Sequence, residues 1–427
     1  MSSPIQVTVI GAGLAGLGAA ISIQGSKYQV TIIDSAPELA EVGAGVQLTP
    51  QTVRQFKRWG IDKELEPLAA QPRYFHIIRY SDGKVLAEEP DWRGWQEQRF
   101  GCGVWSLHRA DMQMAMYRKA QECGVKFKFG AWVEDIDCEN AVITLKNGEV
   151  LTADLIVAAD GLHSKARQSM LGRSDPPLPT GDLAYRIILD ENQIQDPELR
   201  SMMTDPGCRV YAGPKAHCMM YSLKGGKQMN IVLLVPDDLP VEVSRQAAST
   251  DEMMTLFSGW DPVLKKFLRL VQKVDKWRLM HHGGLESWHH PAGRLVMIGD
   301  AVHPMLPYLA QGANSAIEDA IVLGECLNRT SSKSDILTAL KVFEKIRKPR
   351  SDRVVSMTHV QRDWNHLENG QKQEERDQLM AEQMQKGRDE KFPSAWLNPE
   401  LWGFLCSYDP VAEVENKYGR FAQELKA

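Results

Sequence analysis

The sequence predicts an α/β fold organised around a dinucleotide-binding βαβ unit, and three observations at its start predict it. Val7-Thr8-Val9-Ile10 is a β-branched run that leads directly into Gly11-Ala12-Gly13-Leu14-Ala15-Gly16. The residues that follow, Leu17, Ala19, Ala20, Ile21 and Ile23, suit a packed helix. A second β-branched run, Val30-Thr31-Ile32-Ile33, ends on Asp34. Each part has a physical task. Gly11 permits the sharp turn, Gly13 lets the backbone approach a pyrophosphate, and Gly16 lets helix and strand pack closely. The helix N-terminus offers free N–H groups and partial positive charge to phosphates. Asp34 lies about 20 residues beyond Gly13, where a carboxylate accepts hydrogen bonds from ribose hydroxyls. The other reading of an Asp at a strand end is a turn former.

Composition narrows the class. The 427 residues suffice for two or three domains, and 43% hydrophobic with 25% charged residues is the balance of a soluble globular protein. A formal charge of −5 with no basic block argues against nucleic acid and anionic membrane as partners. Met1-Ser2-Ser3-Pro4 runs straight into the first strand without a basic flank or cleavage site, so no secretory signal is expected and the predicted location is cytoplasmic. No apolar stretch reaches the roughly 18 residues of a spanning helix. The seven cysteines are scattered and contain no CxxC, which fits reduced thiols better than a disulfide framework or a zinc site; no metal is expected.

Further along, Val42 to Leu48 forms a second glycine-rich turn, and Thr49-Pro50 opens a helix with Val53, Phe56 and Trp59 on one face. Tyr74 to Leu86 alternates as strands around the turn Ser81-Asp82-Gly83-Lys84. The Trp-rich stretch from Glu88 to Cys102 reads as a surface loop. Arg109 stands at the start of a helix that continues to Cys123, where the helix dipole disfavours a cation unless an anion lies nearby. Leu155 to Asp160-Gly161 and Arg294 to Gly299-Asp300 are buried parallel strands that end in acidic turns. Between them the texture changes. Gly181–Leu189, Arg209–Ala212, Ala216–Leu223 and Met229–Val235 are strand-like and punctuated by Gly and Pro, as in a separate antiparallel sheet, and a helical stretch runs from Ala248 to Val271. Helices are predicted from Ser315 to Leu327, Val342 to Val360 and Gln371 to Gln385, with an exposed loop from Asn328 to Asp335.

Three strands thus end in turns suited to anions or ribose. With Gly299-Asp300-Ala301-Val302-His303-Pro304, Gln311-Gly312-Ala313-Asn314 and Glu318-Asp319, they make the chain resemble the group A flavin-dependent aromatic hydroxylases, similar to salicylate hydroxylase. The resemblance covers nearly the whole chain. It implies a Rossmann-like FAD-binding domain of the para-hydroxybenzoate hydroxylase type (GR2), an inserted antiparallel β-sheet substrate domain, and C-terminal helices. The division it suggests is 1–73 with 103–180 and 276–360 for FAD, 74–102 with 181–275 for substrate, and 361–427 for the C-terminal helices. It implies FAD extended along Gly11, Gly13, Gly16 and Asp34, with Ala44, Gly45, Gln47, Arg109, Asp160, Asp300 and Pro304 also on the cofactor. Gly312, Ala313 and Asn314 would open a helix aimed at the flavin pyrimidine ring, whose reduced form carries negative charge that helix N–H groups stabilise. NADPH or NADH would dock transiently as reductant, and O2 would add to the reduced flavin at C4a.

On the substrate side, Arg186 opens the second sheet, and His217 and Tyr221 share one face of a strand with residue 219. A phenol reacts far faster as phenolate, so a cation and an acid–base partner beside it lower the barrier. Arg186 suits the charge; Tyr221 suits a hydrogen bond or proton relay, and His217 its outward transfer. The resemblance implies an NAD(P)H- and O2-dependent monooxygenase that hydroxylates a phenolic or salicylate-like small molecule, as a monomer or homodimer. The alternatives are an enzyme that epoxidises or oxidises an indole or alkene, and a non-catalytic flavin-binding regulator.

Overall fold

A computed structural model, which describes residues 3–39, 44–389 and 391–425, shows two sheets that face each other across a cavity. The first grows from the N-terminal unit. Strand β1 (Ile5–Ile10) passes through the glycine turn into helix α1 (Leu14–Ile23), which returns the chain to strand β2 (Tyr28–Ile33), parallel to β1. Strand Leu155–Ala158 flanks β1 on its other side, and Leu295–Met297 and Lys126–Lys128 complete five parallel strands. Crossovers leave β1 toward both sides, so the crevice for a ligand lies beyond its C-terminal end, where the glycine turn sits. Val7, Val9, Val30, Ile32 and Leu155–Ala158 are buried, as β-branched and apolar strands covered on both faces must be.

The second sheet has eight strands, in the order Arg245–Ala248, Val274–His281, Leu178–Asp190, Gln228–Pro236, Ala216–Leu223, Gly207–Gly213, Tyr74–Arg79 and Val85–Glu89. It departs from the predicted division in two ways. Leu178–Pro179 and the strand Val274–His281 pair with each other, so residues 178–180 and 276–281 belong to this sheet and not to the first. Gly207–Gly213 also runs parallel to Tyr74–Arg79, an exception to the expected antiparallel order. These two strands come from distant segments and are not joined by a hairpin turn, so no turn imposes antiparallel pairing.

Other expectations are corrected by capping and packing. The presumed loop Glu88–Cys102 contains a helix, Trp92–Phe100, capped by the Asp91 carboxylate, which accepts from Gly94 N at 3.1 Å. Its Trp92 is fully buried, 4.9 Å from Phe75 and 5.4 Å from Trp402 between ring centroids. Aromatic rings bury about 150–250 Å² each, enough to fold a segment of weak helical pattern. The stretch Ala248–Val271 is broken into Thr250–Leu256 and Pro262–Leu268, because Asp261-Pro262 caps a new helix. The long C-terminal helix runs from Ile336 to Asn365, well beyond its predicted ends. Trp396, Trp402 and Leu405 from the C-terminal segment are buried with Phe75, Tyr221 and Val354 in one core. No helix among the described residues is long and apolar enough to cross a membrane.

Candidate active site

The glycine turn is held in a form that only glycine allows at two places. Gly11 has φ of +102°, and a Cβ on it would lie 2.5 Å from Ala159 O. A Cβ on Gly16 would lie 1.9 Å from Gly11 O. Gly13 is different: nothing stands within 4 Å of the place its side chain would take, and Gly13 lines the cavity. The cavity encloses about 400 Å³ between this turn, strand Gly45–Leu48, the start of helix Gly312–Asn328 and one face of the second sheet.

The predicted cofactor residues fall into two groups. Gly13, Ala44, Gly45, Gln47, Arg109, Asp300, Gly312 and Ala313 line the cavity. The second glycine turn is represented by Ala44 onward; its Val42 and Gly43 lie outside the described residues. The side chains of Arg109 and Asp300 open on the cavity without a hydrogen-bond or ion-pair partner among the described residues, and desolvation raises the Asp300 pKa. Helix Gly312–Asn328 has no side-chain cap, so the N–H groups of its first turn are free to meet a ligand.

The second group acts from behind. Asp34 accepts from Ala12 N at 2.7 Å and from Ala36 N at 2.8 Å, which holds the glycine turn while leaving lone pairs on both oxygens. Asp160 accepts from Ser164 Oγ at 2.7 Å and from Lys165 N and Ala166 N at 2.8 and 3.1 Å, at the start of the helix after Ala158. Asn314 is fully buried: its Nδ2 donates to Gln47 O and Ala310 O, and its Oδ1 accepts from Thr49 N at 3.0 Å. It therefore ties strand Gly45–Leu48 to the helix start. Pro304 is buried just ahead of the cavity-lining Met305 and Pro307.

A buried ionic network that the sequence did not foretell supports this wall. Asp319 accepts from Gly299 N at 3.0 Å and pairs with His303 Nε2 at 2.5 Å and with Arg347 Nε at 2.8 Å. Arg347 also reaches Glu318, which Arg350 grips with two nitrogens. Burial works against a charged His303, but the Asp319 carboxylate outweighs it and raises the imidazole pKa.

On the opposite wall the register sets the geometry. Ala184, Leu234 and His217 form one row across the sheet; Arg186, Val232 and Met219 the next; Ile188, Asn230 and Tyr221 the third. His217, Met219 and Tyr221 all line the cavity, as their shared face requires. Four residues of strand separate His217 from Tyr221, about 13 Å, so they stand at opposite ends of the cavity and do not touch. Arg186 lies over the Trp277 ring at 5.5 Å and has no carboxylate partner among the described residues. Its cross-strand neighbour Asp275 pairs instead with Arg245 at 2.6 Å. Tyr221 packs against Gly45, where a Cβ would come within 2.7 Å of its hydroxyl. Burial pushes the Tyr221 pKa up and keeps the hydroxyl a donor. Tyr308, Asn365 and Trp396 also line the cavity, and no local motif marks them.

An extended cradle with backbone donors at the phosphate end, a free carboxylate at Asp300 and an uncapped helix at the ring end fits FAD. The class defined is a flavoprotein oxidoreductase whose reactive ring would face the cavity between the two sheets. The chain belongs to the FAD binding domain family, whose model matches residues 4–358, and it is an FAD-dependent monooxygenase. It is 43% identical over 418 residues to FAD-dependent monooxygenase OpS4 of Beauveria bassiana, covering 97% of both chains. It is 30% identical to 6-hydroxynicotinate 3-monooxygenase of Pseudomonas fluorescens, over 84% of this chain and 91% of that one. The solved structure of CtdE with FAD and a substrate shares the fold with a TM-score of 0.84 at 23% identity, covering 99% of this chain and all of the other.

Proposed function

We propose that the protein hydroxylates an aromatic ring that carries a phenolic hydroxyl and an acidic group, with NAD(P)H as reductant. The observation that carries this reading is Arg186: a guanidinium that opens on the cavity, over the Trp277 ring, with no carboxylate partner among the described residues. A guanidinium that faces a ligand cavity without a carboxylate beside it is placed to grip a ligand carboxylate or phenolate by charge-assisted hydrogen bonds. Arg186 takes the carboxylate or phenolate, and Tyr221 donates a hydrogen bond to the same group. The ring lies over Met219 and Val232, which places a second oxygen toward His217 as the proton acceptor. FAD, when bound, would supply the redox chemistry of hydride acceptance from NAD(P)H and oxygen transfer from O2. Arg109, Asp300 and the backbone at Gly13 would hold its nucleotide part, and Gly312 and Ala313 would direct amides to its ring. A relative whose name gives a hydroxylated aromatic acid as substrate supports the same class. Seven free thiols support a reducing, cytoplasmic setting, and we propose a monomer or homodimer.

The test is NAD(P)H oxidation by the FAD-loaded protein with hydroxybenzoates, simple phenols and indole, scored as hydroxylated product. Arg186→Ala should lower kcat/KM for the acidic phenol by about 10²-fold or more while the flavin stays bound. Wild-type coupling with indole alone, or an unaffected Arg186→Ala enzyme, overturns the reading.

A further inference from the structure

The end of the cavity away from Tyr221 is a wall of three rings. His217 comes from strand Ala216–Leu223, Tyr308 from the turn Pro307–Leu309, and His366 from the end of the helix Ile336–Asn365. Their centroids lie 4.9 to 5.7 Å apart. His217 Nδ1 and His366 Nε2 are 2.7 Å apart, so one proton is shared between the two imidazoles. Beyond them lies a second, open cleft, bordered by His366, Asp182, Lys215, Arg362 and Glu368. His217 faces the inner cavity and His366 the outer cleft, so the bonded pair spans the wall.

The charges around the pair leave it neutral. Asp182 accepts from Tyr308 Oη at 2.5 Å and pairs with Arg362, so its charge is balanced. Asp363 sits beside Arg362, and Lys215 pairs with Glu368 at 3.2 Å while its backbone N–H donates to His366 O. Burial lowers both imidazole pKa values, that of His366 to about 4. Each ring is therefore a neutral imidazole at neutral pH, with one N–H donor and one acceptor nitrogen, and can take a proton on one nitrogen while releasing one from the other.

We propose that His366 is the outer half of a proton outlet through which the ionising substrate hydroxyl discharges into the cleft. This deepens the proposed function and rests on it. The substrate O–H bond breaks and its proton bonds to His217 Nε2. The Nδ1 proton of His217 moves to His366 Nε2, and the Nδ1 proton of His366 moves to water in the cleft. One proton leaves, a phenolate remains, and both imidazoles change tautomer. Reprotonation of the product along the reverse path resets them. His366 never touches substrate; it is a positioning and relay residue.

The test uses the FAD-loaded full chain and 3- or 4-hydroxybenzoate, whichever gives coupled turnover. His366→Ala should slow coupled hydroxylation about tenfold or more at neutral pH, and the deficit should shrink at alkaline pH, where the substrate ionises unaided. Added imidazole, which reaches the vacated place from the cleft, should restore the rate. His366→Gln, which keeps a hydrogen bond but cannot relay, should show the same loss with unchanged flavin content and unchanged melting at neutral pH. A wild-type rate in either variant overturns the outlet, as does a loss that neither follows pH nor yields to imidazole. Should no phenol support coupled turnover in the wild type, the proposed function itself falls, and the outlet with it.

Discussion

The residues that brace the cofactor wall are answered from within the protein; Arg186 and Tyr221 on the substrate wall are not. Asp34, Asp160 and Asn314 are each held by two or three backbone groups, and Asp319 by a backbone N–H, an imidazole and a guanidinium. Arg186 and Tyr221 have no such bonds among the described residues. The first wall is a cradle whose shape is complete before a ligand arrives, as preorganised binding of a common cofactor requires. The second leaves its charge open, so the ligand that supplies the missing anion is selected. Rigidity and selectivity are assigned to different sheets.

The comparison can be broken first at the cradle. Gly16→Ala places a methyl group 1.9 Å from a backbone carbonyl that cannot withdraw without opening the turn. The purified variant should be colourless, with flavin absorbance near 450 nm lost; a stoichiometric yellow protein would refute a preformed cradle. Arg347→Met comes next. It leaves Glu318 and Asp319 short of a buried cation and should cost about 3–5 kcal/mol in urea unfolding. A loss under about 1 kcal/mol would mean that the network is not what holds the wall.

The smallest effect sharpens the other side. His366 has a folded pKa of about 4, below the 6.5 of an exposed imidazole. Between these values the unfolded chain binds the proton and the folded chain does not, so stability falls as pH drops from 6.5 toward 4. His366→Gln should lose that component, and its melting temperature should change less over this range, by about a few degrees. Identical pH dependence in both proteins would show that His366 is not held neutral.

Much of the cradle was legible because its signals are local. Gly11, Gly13 and Gly16 sit between two β-branched runs, and turn, helix and strand follow from adjacent residues. The cap that starts helix Trp92–Phe100 was also visible as Asp91, but its Trp-rich composition concealed it, since burial of Trp92 depends on Trp396 and Trp402 far along the chain. Arg186, His217 and Tyr221 could be named from strand alternation, yet not their separation, which depends on how three strands are registered. Arg347 read only as one charge on a helix, because its partners are 28 and 29 residues away. His366 gave no signal at all.

By itself the sequence determined the parallel sheet, the glycine turn and the side chains able to meet a phosphate or a phenolate. These follow from steric and hydrogen-bonding rules that act over a few residues. Only the tertiary structure decided which acids face the cavity and which brace it, that His217 and Tyr221 occupy opposite ends, and that a histidine from the C-terminal helix closes the wall. Those outcomes come from packing between segments hundreds of residues apart, where a side chain's surroundings are set by which strands and helices meet.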